Sequence, residues 1–494
     1  MSVALVSTVL VAVAAWLVLR ARASGPKLDI PYLQFEGDNS LLRYLNDTRS
    51  LMRKGYAEYI KQGKPFSMLN HVDFQSPLVI LPPKYLEEVR SAPQTKLSFP
   101  LSLEKSTIIN DIGGPKMTDE AILVVRHDVT KALSLYFPAP TQTWNLKLLQ
   151  PNWTPVVTYQ FLLNVFSRIT ARSLVGPELC DNQEWQDIIL GFTNSAFKAS
   201  HGVRARYHPW TRWLAKYFDG DVKDVYRYRK RAGNLLRPIL ETRKAEYKAR
   251  GKGEKVKHED GIQWILDAYH STGSTLTPDK LAQDEFIITI ASIHSSAATA
   301  LSILYDLMDR PECLVEIQEE ISKVLKQYGS WTRQSLAALR IMDSFMKESQ
   351  RVHTLQQLTL QRMAVEDFTF KDGLHLPAGT QIAMPNELIG LDPDLHENAE
   401  TFDAKRFLRK REQIDPNKFH FASISEDMLP FGSGLHACPG RFLAQDVMKL
   451  MFIRLLTRYE FKYPEGVDSR PANIERHHNI MPNTGLSLLF KEKN

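Results

Sequence analysis

The chain has 494 residues, of which 24% are charged and 43% hydrophobic, as in a globular protein that can bury a large core. Its net charge of +6 comes from 62 basic and 56 acidic residues without a concentrated basic run, which argues against a nucleic-acid-binding protein. The three cysteines are far apart in the sequence, which disfavours a disulfide framework and a zinc site and favours a reducing compartment: Cys180, Cys313 and Cys438.

The first twenty residues predict a membrane anchor. Residues 2–19 are almost wholly apolar, and Arg20 and Arg22 follow directly. About 20 apolar residues are enough to span a bilayer. Because the charges come after the apolar run, the segment differs from a cleaved signal peptide. We predict a single-pass anchor over residues 1–20 with the rest of the chain in the cytosol.

A polar connector over residues 21–31 leads to the body, residues 32–494, which shows no repeat and predicts a single domain. Helical periodicity predicts a charged helix over 222–252 and an apolar one over 284–308. Strand signals are local: the segments 368–373 and 381–384 flank turn residues and predict small β-hairpins. The expected fold class is mainly α with small β-sheets.

Two helical segments carry side chains of chemical interest. The apolar helix contains Ala291-Ser292-Ile293-His294-Ser295-Ser296, which puts a hydroxyl and an imidazole inside an apolar run. The next candidate helix contains Glu348 and Arg351, and a spacing of three puts both on one helix face. Alone, such a pair is most often a solvated surface pair of small energetic value.

The most informative segment runs from Phe431 to Gly440 and reads Phe-Gly-Ser-Gly-Leu-His-Ala-Cys-Pro-Gly. It offers Cys438 on a glycine-punctuated loop that opens a helix, a geometry suited to holding haem iron. Gly434 permits backbone conformations closed to other residues, Gly440 lets a flat macrocycle come close, and Phe431 can shield the sulfur. The positive end of the helix favours a thiolate, so we expect a deprotonated sulfur at neutral pH.

The pattern F-x-x-G-x-[RH]-x-C-x-G resembles that of the haem-thiolate monooxygenases, the cytochrome P450 family. The resemblance implies that family's fold, preceded by one N-terminal transmembrane helix, and haem b with an axial thiolate from Cys438. It also implies O₂ and a lipophilic small molecule as substrates. The chain has no flavin or dinucleotide motif, so electrons are expected from an NADPH-dependent P450 reductase. As in eukaryotic members, the expected location is the endoplasmic reticulum membrane.

The resemblance extends to a buried ion cluster. Phe402-Asp403-Ala404-Lys405-Arg406-Phe407 looks like the family's F-x-P-x-R-F, with Ala404 in place of the proline. Arg406 then completes a structural triad with Glu348 and Arg351. Planar bidentate arginine pairs of this kind can fix the Cys438 loop.

The two haem propionates need cationic partners. His436, two residues before the ligand, is the first candidate, although a histidine is charged only when protonated. Arg362 resembles a second propionate arginine of the family. Arg126 lies where the family places a third, but Ile122 stands at the position of the usual aromatic residue, so a solvent-facing Arg126 is an equal alternative.

The segment around His294 partly matches the family's oxygen-activating motif. Ser295 takes the place of the threonine hydroxyl that relays protons, and His294 takes the place of the acid. The alternative is that His294 points away and Ser295 bonds to the preceding turn's carbonyl. This version of the motif resembles fungal monooxygenases that act on terpenoids, indole-diterpenes and related secondary metabolites.

Three segments correspond in order to pocket-lining regions of the family and are rich in apolar residues: 97–112, 355–360 and 480–482. Each of these side chains could equally be ordinary core. Two other functions stay open: an atypical enzyme that rearranges or dehydrates its substrate without a reductase, and a haem-binding protein without turnover.

Overall fold

The computed structural model describes residues 28–73, 76–129, 152–249 and 258–493, so the predicted anchor lies outside the described residues. Helices dominate, and in chain order they are α1 (Leu41–Glu58), α2 (Leu86–Ser91), α3 (Phe99–Thr107), α4 (Ile109–Ile112), α5 (Asp119–Val124), α6 (Thr158–Leu174), α7 (Gly176–Leu179), α8 (Gln183–Arg206), α9 (Ala215–Phe218), α10 (Gly220–Ala249), α11 (Gly261–Ser271), α12 (Pro278–Met308), α13 (Pro311–Tyr328), α14 (Arg333–Ala338), α15 (Arg340–Val352), α16 (Asn386–Gly390), α17 (Arg406–Gln413) and α18 (Arg441–Arg458). The strands are β1 (Phe66–Met68), β2 (Leu78–Ile80), β3 (Leu97–Ser98), β4 (Thr154–Val157), β5 (Thr359–Ala364), β6 (Phe368–Thr369), β7 (His375–Leu376), β8 (Gln381–Met384), β9 (Tyr459–Lys462), β10 (Ile474–Arg476), β11 (Asn479–Met481) and β12 (Ser487–Glu492).

The long apolar helix α12 is the centre of the fold and packs against α6 and α10. It ends at Met308 as predicted, but it begins at Pro278 because the Thr277 hydroxyl caps the Lys280 amide. Among the described residues α12 is the one helix long and apolar enough to cross a membrane, with a mean hydropathy of 1.6 in its most apolar stretch. Since 56% of that stretch is buried inside the fold, α12 is a core helix.

The strands form small sheets around the helices, which confirms the predicted fold class. The largest sheet has five strands in the order β1-β2-β8-β5-β3, and a second has the order β4-β12-β9. β6 and β7 form the hairpin that the sequence predicts near residues 368–373. The segment 381–384 is a strand, but the prediction of a second local hairpin is wrong, because β8 pairs with β2 in parallel and with β5 antiparallel.

Two apolar cores hold these elements together. The larger one surrounds α12 and includes buried faces of α6, α8, α10 and α18. The smaller one lies between the five-stranded sheet and α1. The Cys438 loop directly precedes α18, which packs against α12, so the loop and the middle of α12 lie on opposite sides of one internal space.

Candidate active site

Two glycines and one main-chain hydrogen bond shape the loop that carries Cys438. Gly432 and Gly434 have φ angles of 69° and 66°, in the left-handed region that residues with side chains avoid. The Cys438 amide donates to the Phe431 carbonyl at 2.8 Å. A Cβ on Gly434 would lie 2.7 Å from the Cβ of Arg90. Both the backbone conformation and the close neighbour therefore require glycine at 434.

The environment of Cys438 has opposing effects on its ionisation. Burial raises the pKa of the thiol, and hydrogen bonds from the Gly440 and Arg441 amides lower it by less. In the polypeptide without iron, desolvation therefore opposes the thiolate that the helix end favours. A metal-bound thiol is deprotonated outright, so ionisation of Cys438 is coupled to binding of iron.

A cavity of about 480 Å³, here called the inner chamber, lies between the Cys438 loop and α12. In the middle of this otherwise buried helix, Ala291 and Ser295 are exposed, and their spacing of four puts them on one helix face. Across the chamber, a Cβ on Gly440 would meet no atom within 4 Å. The open space beside the cysteine suits a flat group. Its mostly apolar lining includes Phe99, Leu103, Ile112, Phe197, Ile287 and Ile290.

The structure separates the two residues that the sequence joined as a proton relay. The Ser295 hydroxyl donates to the Ala291 carbonyl at 2.9 Å, on the open face of α12. The His294 ring is instead joined by Nδ1 to the Tyr159 hydroxyl at 3.3 Å and meets Phe197 edge-on. Burial lowers the pKa of His294, and its buried Nε2 has no hydrogen-bond partner among the described residues. Both contacts match the alternative stated above, in which His294 points away.

Three basic side chains gather beside the Cys438 loop. Burial, followed by the positive charges of Arg362 and Arg126, lowers the pKa of His436 to about 4. Arg362 is 2% exposed, and burial lowers its pKa to about 10. Arg126 lines the inner chamber and donates to the Leu435 carbonyl at 2.9 Å. The Phe99 ring lies 5.5 Å from the Arg362 guanidinium and 6.0 Å from the His436 ring.

These features fit a haem. Cys438 supplies a sulfur donor, and the space beside Gly440 admits a flat macrocycle. An anion would balance the positive charges of Arg362 and Arg126 and would favour a protonated His436, and a haem carries two propionates. Cys438 would hold the iron and the three basic groups would hold the propionates. A propionate beside His436 would raise the pKa of its imidazole toward the ordinary value.

The residues of the predicted triad meet and are buried. Arg351 donates to both carboxylate oxygens of Glu348, at 2.6 and 2.9 Å. The Arg406 Nε donates to the same carboxylate at 3.2 Å. The guanidinium groups of Arg351 and Arg406 also donate to main-chain carbonyls, namely those of Gly390, Glu397, Asn398, Ala399 and Thr401. None of the described hydrogen bonds of the triad reaches the Cys438 loop, so it directly fixes residues 390–401 rather than that loop.

Sequence reasoning missed several residues that shape this site. Gly432 shares the left-handed conformation of Gly434, and the same glycine argument could have found it. Ser344 holds the turn at Ala404, the position of the missing proline, by donating to its carbonyl at 2.7 Å. Tyr159, the partner of His294, had no local signal, because α6 and α12 meet only in the folded chain.

Comparison with known proteins decides the family. The cytochrome P450 family model matches residues 156–490 of the chain. The chain belongs to this family. Cytochrome P450 monooxygenase cheE of Chaetomium globosum is 40% identical over 474 residues, which cover 94% of this chain and 91% of that protein. Pyrichalasin C-7 hydroxylase of Pyricularia grisea is 38% identical over 448 residues, which cover 88% and 87%.

Among solved structures, a retinoic-acid-bound cyanobacterial cytochrome P450, CYP120A1, aligns with a TM-score of 0.67 at 17% identity and covers 94% of this chain and 100% of that one. At this identity the likeness supports the fold alone. As a cytochrome P450 monooxygenase, the protein is an oxidoreductase that uses haem, with an axial thiolate from Cys438. Cytochrome P450 monooxygenase ccsG of Aspergillus clavatus is 39% identical over 470 residues, which cover 94% of this chain and 93% of that protein.

Proposed function

We propose that this cytochrome P450 inserts one oxygen atom from O₂ into a lipophilic small molecule of terpenoid, indole-diterpene or polyketide type. The observation that carries the proposal is the inner chamber, whose apolar wall lies directly above the cysteine loop. Such a wall favours an apolar substrate, because it has few groups that could replace the hydration of a charged one. The printed name of one relative, a C-7 hydroxylase, supports hydroxylation as the outcome.

The bound haem supplies the activation of O₂. The chain's own part in the reaction is to position the substrate and to deliver protons. Ser295 lies on the exposed face of α12, one turn after Ala291, which lines the chamber. While its hydroxyl donates to the Ala291 carbonyl, its oxygen can accept a hydrogen bond from a water. This supports Ser295 Oγ as a proton-transfer group. We do not extend that role to His294, whose described hydrogen-bond partner is Tyr159.

Electrons come from an NADPH-dependent reductase that docks near the Cys438 loop. Phe442 is 47% exposed four residues after Cys438 and offers apolar surface for such a partner. The anchor over residues 1–20 holds the protein in the endoplasmic reticulum membrane. The catalytic domain, residues 32–494, then faces the cytosol.

The test is to express the full chain with a P450 reductase in a host that makes candidate metabolites, under ¹⁸O₂. Mass spectrometry should find a product that has gained one labelled oxygen. Product that forms without O₂ and NADPH would instead favour the reductase-independent rearrangement. If the haem protein gives neither product nor a substrate-induced spin-state change, the result would favour a haem-binding protein without turnover.

A Ser295→Ala variant tests the proton-transfer role. We expect it to consume NADPH with a smaller fraction of product, because the oxygen that can hold a water beside Ala291 is lost. Ser292→Ala is the matched control, since the Ser292 hydroxyl donates to the Thr289 carbonyl at 3.0 Å within the same helix. Equal coupling of NADPH to product in both variants would contradict the role.

A further inference from the structure

Three side chains that can bind a metal ion meet at a junction of helices that the function proposed above does not use. One carboxylate oxygen of Glu178, one of Asp260 and one ring nitrogen of His258 lie within 4.8 Å of one another. Glu178 belongs to α7, and the other two residues stand directly before α11. Atoms bound to one zinc ion lie roughly 3–4 Å apart, since each is about 2.0–2.2 Å from the metal. Small side-chain movements would therefore bring all three onto one ion.

Two glycines leave the room in which these side chains converge. Gly176 has a φ of 70°, and a Cβ there would lie 2.6 Å from Asp260 Oδ2 and 2.7 Å from Glu178 Oε2. A Cβ on Gly261 would lie 2.6 Å from the Leu174 carbonyl oxygen, so α11 begins in close contact with the end of α6. Any larger residue at either position would push the two carboxylates apart.

A fully buried carboxyl group lies against the same junction. Glu285 of α12 is 0% exposed, and neither of its carboxylate oxygens has a hydrogen-bond partner among the described residues. Its Oε1 is 3.0 Å from the place that a Cβ on Gly261 would take, so this carboxyl faces the start of α11 beside Asp260. A buried polar group without a partner is costly and calls for a ligand or a bound water.

The hydrogen bond of His258 is the one that a metal-bound histidine makes. His258 Nε2 lies 2.8 Å from Glu246 Oε2. Because an ionised carboxylate only accepts hydrogen bonds, Nε2 carries the hydrogen, and Nδ1 of the neutral ring keeps its lone pair for a metal. Histidines that bind metals almost always donate their other ring nitrogen to a carboxylate or carbonyl, which fixes the orientation of the ring.

The charges of the junction favour a cation. Arg243 is buried, and its Nη2 donates to Glu178 Oε1 at 2.8 Å and to Asp260 Oδ2 at 2.9 Å. A carboxylate has about four lone-pair sites, so Arg243 can orient these two groups while a metal binds their remaining lone pairs. The three carboxylates of Glu178, Asp260 and Glu246 face this one guanidinium. A divalent cation would balance the two negative charges that remain among these four residues.

We propose that Glu178, Asp260 and His258 bind one Zn²⁺ ion, and that Glu285 accepts a hydrogen bond from a water on that ion. One imidazole with two carboxylates suits Zn²⁺, which binds such donors more tightly than Mn²⁺ or Mg²⁺ does. The ion would tie α7 to the start of α11 and so have a structural role. The site uses no cysteine, so the cysteine pattern gave no sign of it.

The test uses the full-length haem protein, purified without a histidine tag and treated with EDTA. In isothermal titration calorimetry with zinc chloride, we expect one ion per chain to bind in the micromolar range or tighter. Magnesium chloride should bind at least about a hundredfold more weakly. Zinc should also raise the unfolding temperature, because the three ligands come together only in the folded chain.

X-ray absorption at the zinc edge identifies the ligand atoms without interference from haem iron. We expect only nitrogen and oxygen neighbours, at about 2.0–2.2 Å. A sulfur neighbour at about 2.3 Å would place the ion on a cysteine and would overturn the proposal.

Three variants remove one ligand each: Glu178→Gln, His258→Gln and Asp260→Asn. Each should weaken zinc binding at least about a hundredfold, since loss of an orienting partner alone costs about 10–100-fold. The asparagine in Asp260→Asn keeps a side-chain oxygen for the Gln263 amide, which Asp260 caps at the start of α11. Glu246→Gln, which removes the positioning carboxylate, should weaken binding about tenfold.

Two matched controls change the same residue types outside the junction. Glu184→Gln alters an exposed carboxylate that pairs with Arg231, and His270→Gln removes an exposed ring that stacks on Tyr247. Neither should change the zinc affinity. The carbon monoxide difference spectrum and far-ultraviolet circular dichroism of each variant check that the chain is folded with its haem.

Zinc affinity that stays unchanged in the three ligand variants would overturn the proposal and indicate an adventitious ion only. Equal affinity for Zn²⁺ and Mg²⁺, or no zinc binding in the micromolar range, would also overturn it. If Asp260→Asn does not fold, the partly exposed Glu178 and His258 still decide the outcome. Zinc binding needs neither O₂ nor electrons, so a failure of the proposed monooxygenase reaction would leave this result unaffected.

Discussion

Replacement of Arg406 by glutamine tests the energetic role of the buried triad, and the neighbouring Arg409 provides a matched control on the same helix, α17. Arg406 is 7% exposed and bonds to the fully buried Glu348. The side chain of Arg409 is 51% exposed and pairs with Asp403 at the surface. The two substitutions remove the same charge in different environments.

The expected magnitude follows from the partners that each arginine loses. Removal of one member of a buried ion pair costs about 3–5 kcal/mol. Glu348 keeps the two hydrogen bonds from Arg351, which limits the loss, but the carbonyls of Glu397 and Asn398 lose their guanidinium donors. We therefore expect Arg406→Gln to lower the free energy of unfolding by about 3–4 kcal/mol. Arg409→Gln should lower it by less than about 1 kcal/mol, as for other exposed pairs.

The assay is urea-induced unfolding of the purified protein, followed by tryptophan fluorescence, with the slope of the transition compared among variants. Loss of haem, read from the Soret band, should accompany unfolding in Arg406→Gln at lower urea than in the control. Equal losses of stability in the two variants would refute the reasoning, because burial would then make no difference to the pair.

Three further outcomes are expected. Gly434→Ala should destabilise the Cys438 loop and lower haem retention, since the new Cβ would lie 2.7 Å from Arg90. The control Gly220→Ala should be neutral, because its Cβ would meet no atom within 4 Å. Equal haem content in the two variants would contradict the close contact at Gly434. Burial raises the pKa of Asp284 to about 6. The wild type therefore loses stability as the pH rises from about 4 to 6, because Asp284 ionises in the unfolded chain while it keeps its proton in the folded chain. Asp284→Asn should therefore gain roughly 2–3 kcal/mol relative to the wild type over that window in urea titrations, and a flat difference would argue against the raised pKa. Cys438→Ser should lose the thiolate-type carbon monoxide spectrum with little change in far-ultraviolet circular dichroism, and retention of that spectrum would exclude Cys438 as the ligand.

The sequence alone determined the features that depend on neighbours within a few residues. The glycines and the cysteine of the segment 431–440 indicated the haem ligand, because a tight loop and a helix start are encoded locally. Apolar periodicity and Pro311 placed the end of α12 at Met308. Helical spacing put Glu348 and Arg351 on one helix face, and the family resemblance indicated that the pair is buried.

The tertiary structure decided what distant segments do to one another. β8 joined the five-stranded sheet rather than a local hairpin, because its partners β2 and β5 become available only when the chain folds. His294 turned toward Tyr159, and burial raised the pKa of the Cys438 thiol. A hydrogen bond from Arg204 to the Lys105 carbonyl joins segments 99 residues apart. Desolvation and contacts of this kind depend on packing, which no local pattern records.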